Sequence, residues 1–222
     1  MAPWLPDARR LHRIIPSRFP PVGVFDAIAS TEALADLYEI EALTNDRLRS
    51  ELGQLHLLPP KDWLSGPGTT PIMAAFTHPS PGRFGDGSYG VLYAARDENT
   101  AIRETVYHRE RFLAATQEPP IRLDMRRYVV DLAQPLLDGR AALRGTAAMN
   151  PVDYAAGQAL GRELQAQGAW GLFFPSIRLP GGECAAIFRA PALQPPMLQA
   201  SHYHYHWDGR RIHFVERAEQ VM

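Results

Sequence analysis

Residues Gly82 to Glu110, GRFGDGSYGVLYAARDENTAIRETVYHRE, constrain the chain more than any other stretch. The stretch opens with a glycine-rich loop holding one arginine, Arg83. So many glycines break regular structure and let backbone come close to a partner. The apolar run Val91 to Ala95, with Tyr93 at its centre, is short enough for a strand. Asp97 then starts a segment of helical spacing that carries Glu104. Ile102 and Val106 mark its buried face, and Glu104 points away from that stripe. Asp97 suits an N-cap, Glu98 the first turn, and Arg109 and Arg111 the far end. A cation, an aromatic and a carboxylate therefore fall on a loop, a strand and a helix in quick succession. Each also has an ordinary reading, since lone Arg and Glu side chains are usually solvated and strand tyrosines are usually core.

The 222 residues are expected to form one domain, 1–222, with a helical N-terminal portion at about 28–55. A formal net charge of -1 gives no bulk attraction to nucleic acid or a membrane surface. Lys61 is the only lysine, which leaves few candidates for Schiff-base chemistry. Cys184 is the only cysteine, which excludes an internal disulfide and a cysteine-based zinc cluster. With no signal-like start and no apolar run of about 18 residues, a cytoplasmic protein is expected.

Leu11 to Ile15 reads as a strand in which Arg13 shares a face with Leu11 and Ile15. A charge there marks an edge position or a ligand contact. Ser30 or Thr31 suits an N-cap, and Leu34, Leu37, Ile40 and Leu43 follow at helical intervals, with Leu48 and Leu52 extending the pattern to a stop at Gly53. Ile72 to Phe76 and Tyr128 to Leu132 read as strands. Asn150 and Pro151 suit the N-cap and first position of a helix ending at Gly168. Gly171 to Phe174 and Cys184 to Phe188 read as strands. Ser176 follows Pro175 at a strand end, without the Gly-x-Ser-x-Gly elbow of a serine nucleophile.

Near the C-terminus, Asp208-Gly209 signals a type I′ hairpin turn. It would set Tyr205 opposite Ile212 and Tyr203 opposite Phe214 on an apolar face. His202, His204, His206 and His213 would fill the other face. Cross-strand histidines suit zinc. Yet no carboxylate or cysteine joins them in this reading, and solvent-facing alternation fits equally well, so no metal is expected.

The stretch THPSPGRFGDGSYGVLYAARDENTAIRETVYH resembles the RES domain, a family named for an Arg, a Glu and a Ser. The later FFPSIRLPGGECAAIF is similar to the segment that supplies the family's serine. EALTNDRLRSELG and HYHYHWDGRRI look like segments of longer members, so the resemblance spans most of the chain in order. The loop reads Gly-Arg-Phe where many members have Gly-Arg-Trp-Asn, which changes residue 84 (Phe84) and leaves Arg83 in place. The resemblance implies an α+β, ADP-ribosyltransferase-like fold, with two small mixed sheets forming a cleft and helices around them. It implies NAD as a substrate, and a helix-turn-helix (Xre-type) antitoxin protein as partner. It carries over to Arg83, Tyr93, Glu104 and Ser176, with Arg13 a further candidate contact to NAD.

Chemistry agrees with those residue types. A diphosphate favours a planar cation such as Arg83, and a cationic nicotinamide ring stacks on an aromatic such as Tyr93. A carboxylate such as Glu104 stabilises an oxocarbenium-like ribose. Ser176 would orient Glu104 or the carboxamide. The expected function is an NAD-consuming toxin that cleaves the nicotinamide–ribose bond as a glycohydrolase or phosphorylase. The alternatives are a mono-ADP-ribosyltransferase acting on a host protein and a non-catalytic binding module. The acceptor and homo-oligomer formation stay open from the sequence.

Overall fold

The computed structural model describes residues 1–18, 23–28, 30–40 and 52–218. In chain order the strands are β1 (Pro3–Trp4), β2 (Arg10–Pro16), β3 (Leu92–Ala95), β4 (Ile121–Leu132), β5 (Leu136–Asp138), β6 (Gly171–Pro175), β7 (Glu183–Ile187), β8 (Leu193–Trp207) and β9 (Ile212–Ala218). The helices are α1 (Val24–Ala27), α2 (Thr31–Ile40), α3 (Thr70–Thr77), α4 (Glu98–Ala115) and α5 (Ala155–Ala166). No helix among the described residues is long and apolar enough to cross a membrane.

One mixed nine-stranded sheet runs in the order β1-β5-β6-β7-β3-β2-β4-β8-β9. β5 and β6 are parallel, and the other neighbours are antiparallel. The two separate sheets expected from the resemblance are replaced by this continuous one. Its halves meet at a narrow waist, where β2 and β3 share one residue pair, His12↔Ala95. β3 is only four residues long and is paired along its length with β7, so β2 gains little register from it.

Alternate residues of each strand feed opposite faces. Leu11, Leu92 and Phe173 join Phe25, Leu34, Ile72 and Phe76 in one cluster. Ile14, Ala95, Leu172, Phe174 and Cys184 join Ala101, Leu113 and Leu164 from α4 and α5 in the other. The site is built over this second face.

Helix α4 starts as its sequence dictates, with Asp97 Oδ1 accepting from the Thr100 backbone N–H at 2.8 Å. Ile102 and Val106 pack on the core below it. Two other expectations are corrected. Ile72 to Phe76 lies in α3, where Ile72, Met73 and Phe76 are all buried on the first cluster. A five-residue apolar run fits a buried helix as well as a strand, and Pro71 near the helix start favours the former. Asn150-Pro151 does not start α5. Asn150 Oδ1 instead accepts from the N–H groups of Val152 and Asp153, and the helix begins at Ala155. Gly168, at φ +76°, ends it as expected. Leu43 and Leu48 lie outside the described residues, while Leu52 is buried and Gly53 has φ +59°.

The C-terminal hairpin exists, with a shifted register. Tyr205 faces Val215, Tyr203 faces Arg217 and Trp207 faces Ile212. Asp208 N–H donates to Arg211 O, and the Asp208 carboxylate caps the N–H groups of Arg210 and Arg211, so the turn spans four residues where two were expected. The bulge at His206/Trp207 puts Phe214 opposite His206, outside the apolar face.

Candidate functional site

The Arg83 loop is a tight turn closed by Gly82 N–H donating to Gly85 O at 2.7 Å. Helix α5 is pressed onto it through two glycines one turn apart. A Cβ on Gly157 would lie 2.4 Å from Arg83 O, and one on Gly161 would lie 2.0 Å from Phe84 O. Tyr89 donates its hydroxyl to Phe84 O at 2.7 Å. Tyr93 closes the loop from the sheet side, its hydroxyl accepting from Phe84 N–H at 2.8 Å. Burial pushes the Tyr93 phenol up, so it stays protonated. The Tyr93 hydroxyl is thus committed to holding the loop.

Arg83 is 9 % exposed. Its Nη1 donates to Ala148 O at 3.2 Å and Asn150 O at 2.7 Å, and its guanidinium lies 4.6 Å from the Tyr154 ring centroid. Burial lowers its pKa; Tyr154 opposes that shift, Arg178 adds to it, and Glu104 and Tyr93 oppose it.

Glu104 and Ser176 are in direct contact. Ser176 Oγ donates to Glu104 Oε1 at 2.6 Å. The same Oγ accepts from the backbone N–H groups of Arg178 at 3.1 Å and Leu179 at 3.0 Å. Both serine lone pairs are occupied, so its one hydrogen is aimed at the carboxylate. From β7, the buried Cys184 Sγ also donates to Glu104 Oε1, at 3.7 Å. Burial, with Glu104 beside it, holds that thiol well above its ordinary value and keeps it a donor.

Arg13 stands apart. It shares the Leu11 and Ile15 side of β2, and Nη1 donates to Tyr93 O at 2.9 Å across the split between β2 and β3. Burial alone lowers its guanidinium to about 10. No carboxylate pairs with it among the described residues, so the charge is uncompensated there.

The sequence reading missed Arg178, Tyr107, Tyr154 and Cys184. Arg178 lies 3.3 Å from the Tyr107 ring centroid, and Arg178 Nη2 and Tyr107 OH both donate to Pro151 O, at 2.7 and 3.2 Å. Tyr107 is three residues beyond Glu104 on one helix face, a usable signal. Cys184 and Tyr154 carried none, since both sat in apolar patterns.

An open cavity of about 500 Å³ adjoins the site, lined by Ser176 and Asn150 among others. It does not reach Arg83, Tyr93 or Glu104.

On the hairpin, each of three histidines meets a carboxylate, which corrects the expectation that none is near. His204 Nδ1 is 2.8 Å from Asp124, His206 Nε2 is 3.6 Å from Glu216, and His213 Nδ1 is 4.0 Å from Asp208. The pairs are separate, and among the described residues no three His, Cys, Asp or Glu groups are placed to hold a metal ion.

Comparison with known proteins places these residues in context. A family model described as the RES domain matches residues 54–208, a span containing Arg83, Tyr93, Glu104 and Ser176. "Uncharacterized protein y4oC" of Sinorhizobium fredii (strain NBRC 101917 / NGR234) is 35% identical over 205 residues, which cover 90% of this chain and 84% of that protein. The crystal structure of the M. tuberculosis MbcT-MbcA toxin-antitoxin complex contains a chain 15% identical to this one. That match covers 55% of this chain and 70% of that one, at a TM-score of 0.43.

Proposed function

The chain belongs to the RES domain family, and from that premise we propose that it is an NAD-consuming toxin that cleaves the nicotinamide–ribose bond. The observation that carries the reading is the 2.6 Å bond from Ser176 Oγ to Glu104 Oε1. A carboxylate fixed by a one-directional donor has its charge aimed before substrate arrives, which is what electrostatic catalysis requires.

In this reading the Arg83 guanidinium takes the substrate diphosphate with the donors that Ala148 and Asn150 leave free. The partly exposed Tyr93 ring faces the nicotinamide, while its hydroxyl keeps the loop closed. The C1′–N bond breaks, and its electron pair leaves with nicotinamide, cancelling the ring's positive charge. Positive charge develops on the ribose, and Glu104 stabilises it. A water or phosphate oxygen then attacks C1′, and with water one proton is released.

An enzyme of this kind drains a shared cofactor in the cytoplasm, so its host needs a restraint. The family resemblance supports a helix-turn-helix antitoxin in that role. Incubation of the purified protein with NAD tests the reading, with free nicotinamide as the expected product and no release by Glu104→Gln. Label from NAD appearing on a protein would favour ADP-ribosyl transfer, and no turnover of any kind would leave only a binding module. Expression alone should arrest growth, and harmless expression of an active protein would remove the toxin role.

A further inference from the structure

The cavity beside Ser176 lies at the ends of β5 and β6, and the site described above makes no use of it. Its volume of about 500 Å³ falls in the range of small-molecule pockets, roughly 300–1,000 Å³. It adjoins the reacting centre through two residues. Ser176 lines it while holding Glu104, and Asn150 lines it while its carbonyl holds Arg83. A ligand held at Glu104 and Arg83 would reach this cavity past Ser176 or past Asn150.

Its walls are mixed in a way that selects a chemistry. Met149, Pro151, Ile177 and Pro180 give apolar surface without side-chain donors. Arg140, at one end, is committed to Asp138 and Glu183 by bonds of 2.7 to 2.9 Å. Arg144 is exposed and has no side-chain partner among the described residues. Asn150 uses its side-chain oxygen on Val152 and Asp153, which leaves its amide N–H groups for a ligand. Gly145 and Gly181 line the cavity at φ +75° and +80°, with open space where a Cβ would stand. The bond from Arg178 Nη2 to Pro151 O ties the two walls together, so the space is preformed.

We infer that this cavity is the subsite for the adenosine half of a dinucleotide. The flat purine lies on the Met149, Ile177 and Pro180 surface, with the Arg144 guanidinium over its face and the Asn150 amide on a ring or ribose acceptor. The inference rests on the dinucleotide reading of the site, and it adds where the non-reacting half is held.

Calorimetric titration with adenosine 5′-monophosphate tests it without catalysis. The wild-type chain should bind the nucleotide. Arg144→Ala should weaken binding about tenfold, and Thr146→Trp, which fills the cavity from an exposed position, should abolish it. Neither change should lower the melting temperature appreciably, and if Thr146→Trp fails to fold, Arg144→Ala decides. No binding at millimolar nucleotide, or equal binding by wild type and Arg144→Ala, overturns the subsite. A second arm compares kcat/KM for NAD with that for nicotinamide mononucleotide, which lacks the adenosine half. The subsite requires Arg144→Ala to lower the first about tenfold relative to the second. If NAD is cleaved with an unchanged ratio, the subsite falls and the cleavage reading stands. If the monophosphate binds as described and NAD is not cleaved, the subsite stands and the cleavage reading falls.

Discussion

Ser176 on the loop after β6 and Glu104 on α4, 72 residues apart in sequence, are joined by a 2.6 Å hydrogen bond in which the serine donates. Glu104→Gln keeps the size and removes the charge. NAD cleavage should fall on the order of a hundredfold or more, mainly in kcat, because the charge acts on the transition state. Glu104 is only half-buried and lies off the apolar stripe of α4, so melting should change little. Wild-type turnover in this variant would remove the glutamate from the mechanism.

Ser176 and Cys184 both donate to the same oxygen, Glu104 Oε1. Ser176→Ala removes the shorter bond and should lower kcat about tenfold or more, roughly the worth of one hydrogen bond to a charged group. Cys184→Ser keeps a donor and should retain most activity. Cys184→Val removes the donor in a similar volume and should lower kcat with little change in KM. Equal kcat in the serine and valine variants would reduce Cys184 to a packing residue.

Gly161 lets α5 touch the Arg83 loop. Replacement by Ala improves helix propensity by about 1 kcal/mol. The new Cβ, however, would stand 2.0 Å from Phe84 O, against backbone that has little room to yield. We expect net destabilisation of about 1–3 kcal/mol and weaker NAD binding, as the loop carrying Arg83 is displaced. Calorimetric melting and KM read the two effects. An unchanged or higher melting temperature would show that the loop moves freely.

Arg83→Lys keeps the cation and loses the planar fork. One ammonium cannot hold Ala148 O and Asn150 O, stack on Tyr154 and still meet a diphosphate. KM for NAD should rise and the melting temperature should fall together. A raised KM with unchanged melting would mean that the two carbonyl contacts contribute nothing to the fold.

The parts of this site legible in the sequence were those fixed by local rules. Asp97 as a cap, Glu104 off the Ile102–Val106 stripe and the glycine-rich Arg83 loop each follow from spacing within a few residues. Ser176 was legible only through the family resemblance, because the backbone donors that aim its hydroxyl belong to a turn with no sequence signature. The single sheet was not legible. Its continuity rests on one pair, His12↔Ala95, and no periodicity encodes a lone long-range bridge. The spacing marks Arg13 as an edge position or a ligand contact; β2 lies inside the sheet, between β3 and β4, and no carboxylate pairs with Arg13 among the described residues. Its position on the Leu11 side of β2 nonetheless separates it from Glu104. The hairpin register failed because a bulge at His206 moved the pairing, and bulges are decided by packing.

The waist of the sheet should make stability depend on pH. His12 sits at the His12↔Ala95 pair, and its Nδ1 accepts from Arg127 Nη1 at 2.8 Å. Burial, followed by Arg127, holds His12 below the ordinary value of 6.5; Glu98 and Asp97 oppose the shift, and Arg10 adds a little to it. Protonation would turn the Nδ1 acceptor into a donor facing a guanidinium. The unfolded chain takes up this proton near pH 6.5, and the folded chain only at lower pH. The contribution of His12 is therefore complete above about 6.5 and is lost as pH falls below it. Arg127 also pairs with Glu98 at 2.9 Å, so the loss should loosen the start of α4 along with β2 and β4. His12→Gln keeps an acceptor and removes the titration. Between pH 7.5 and 5.5 the wild-type melting temperature should fall more steeply than that of the variant, and amide exchange at the waist should quicken in the wild type alone. Parallel melting curves for the two proteins over that range would exclude His12 as the titrating group.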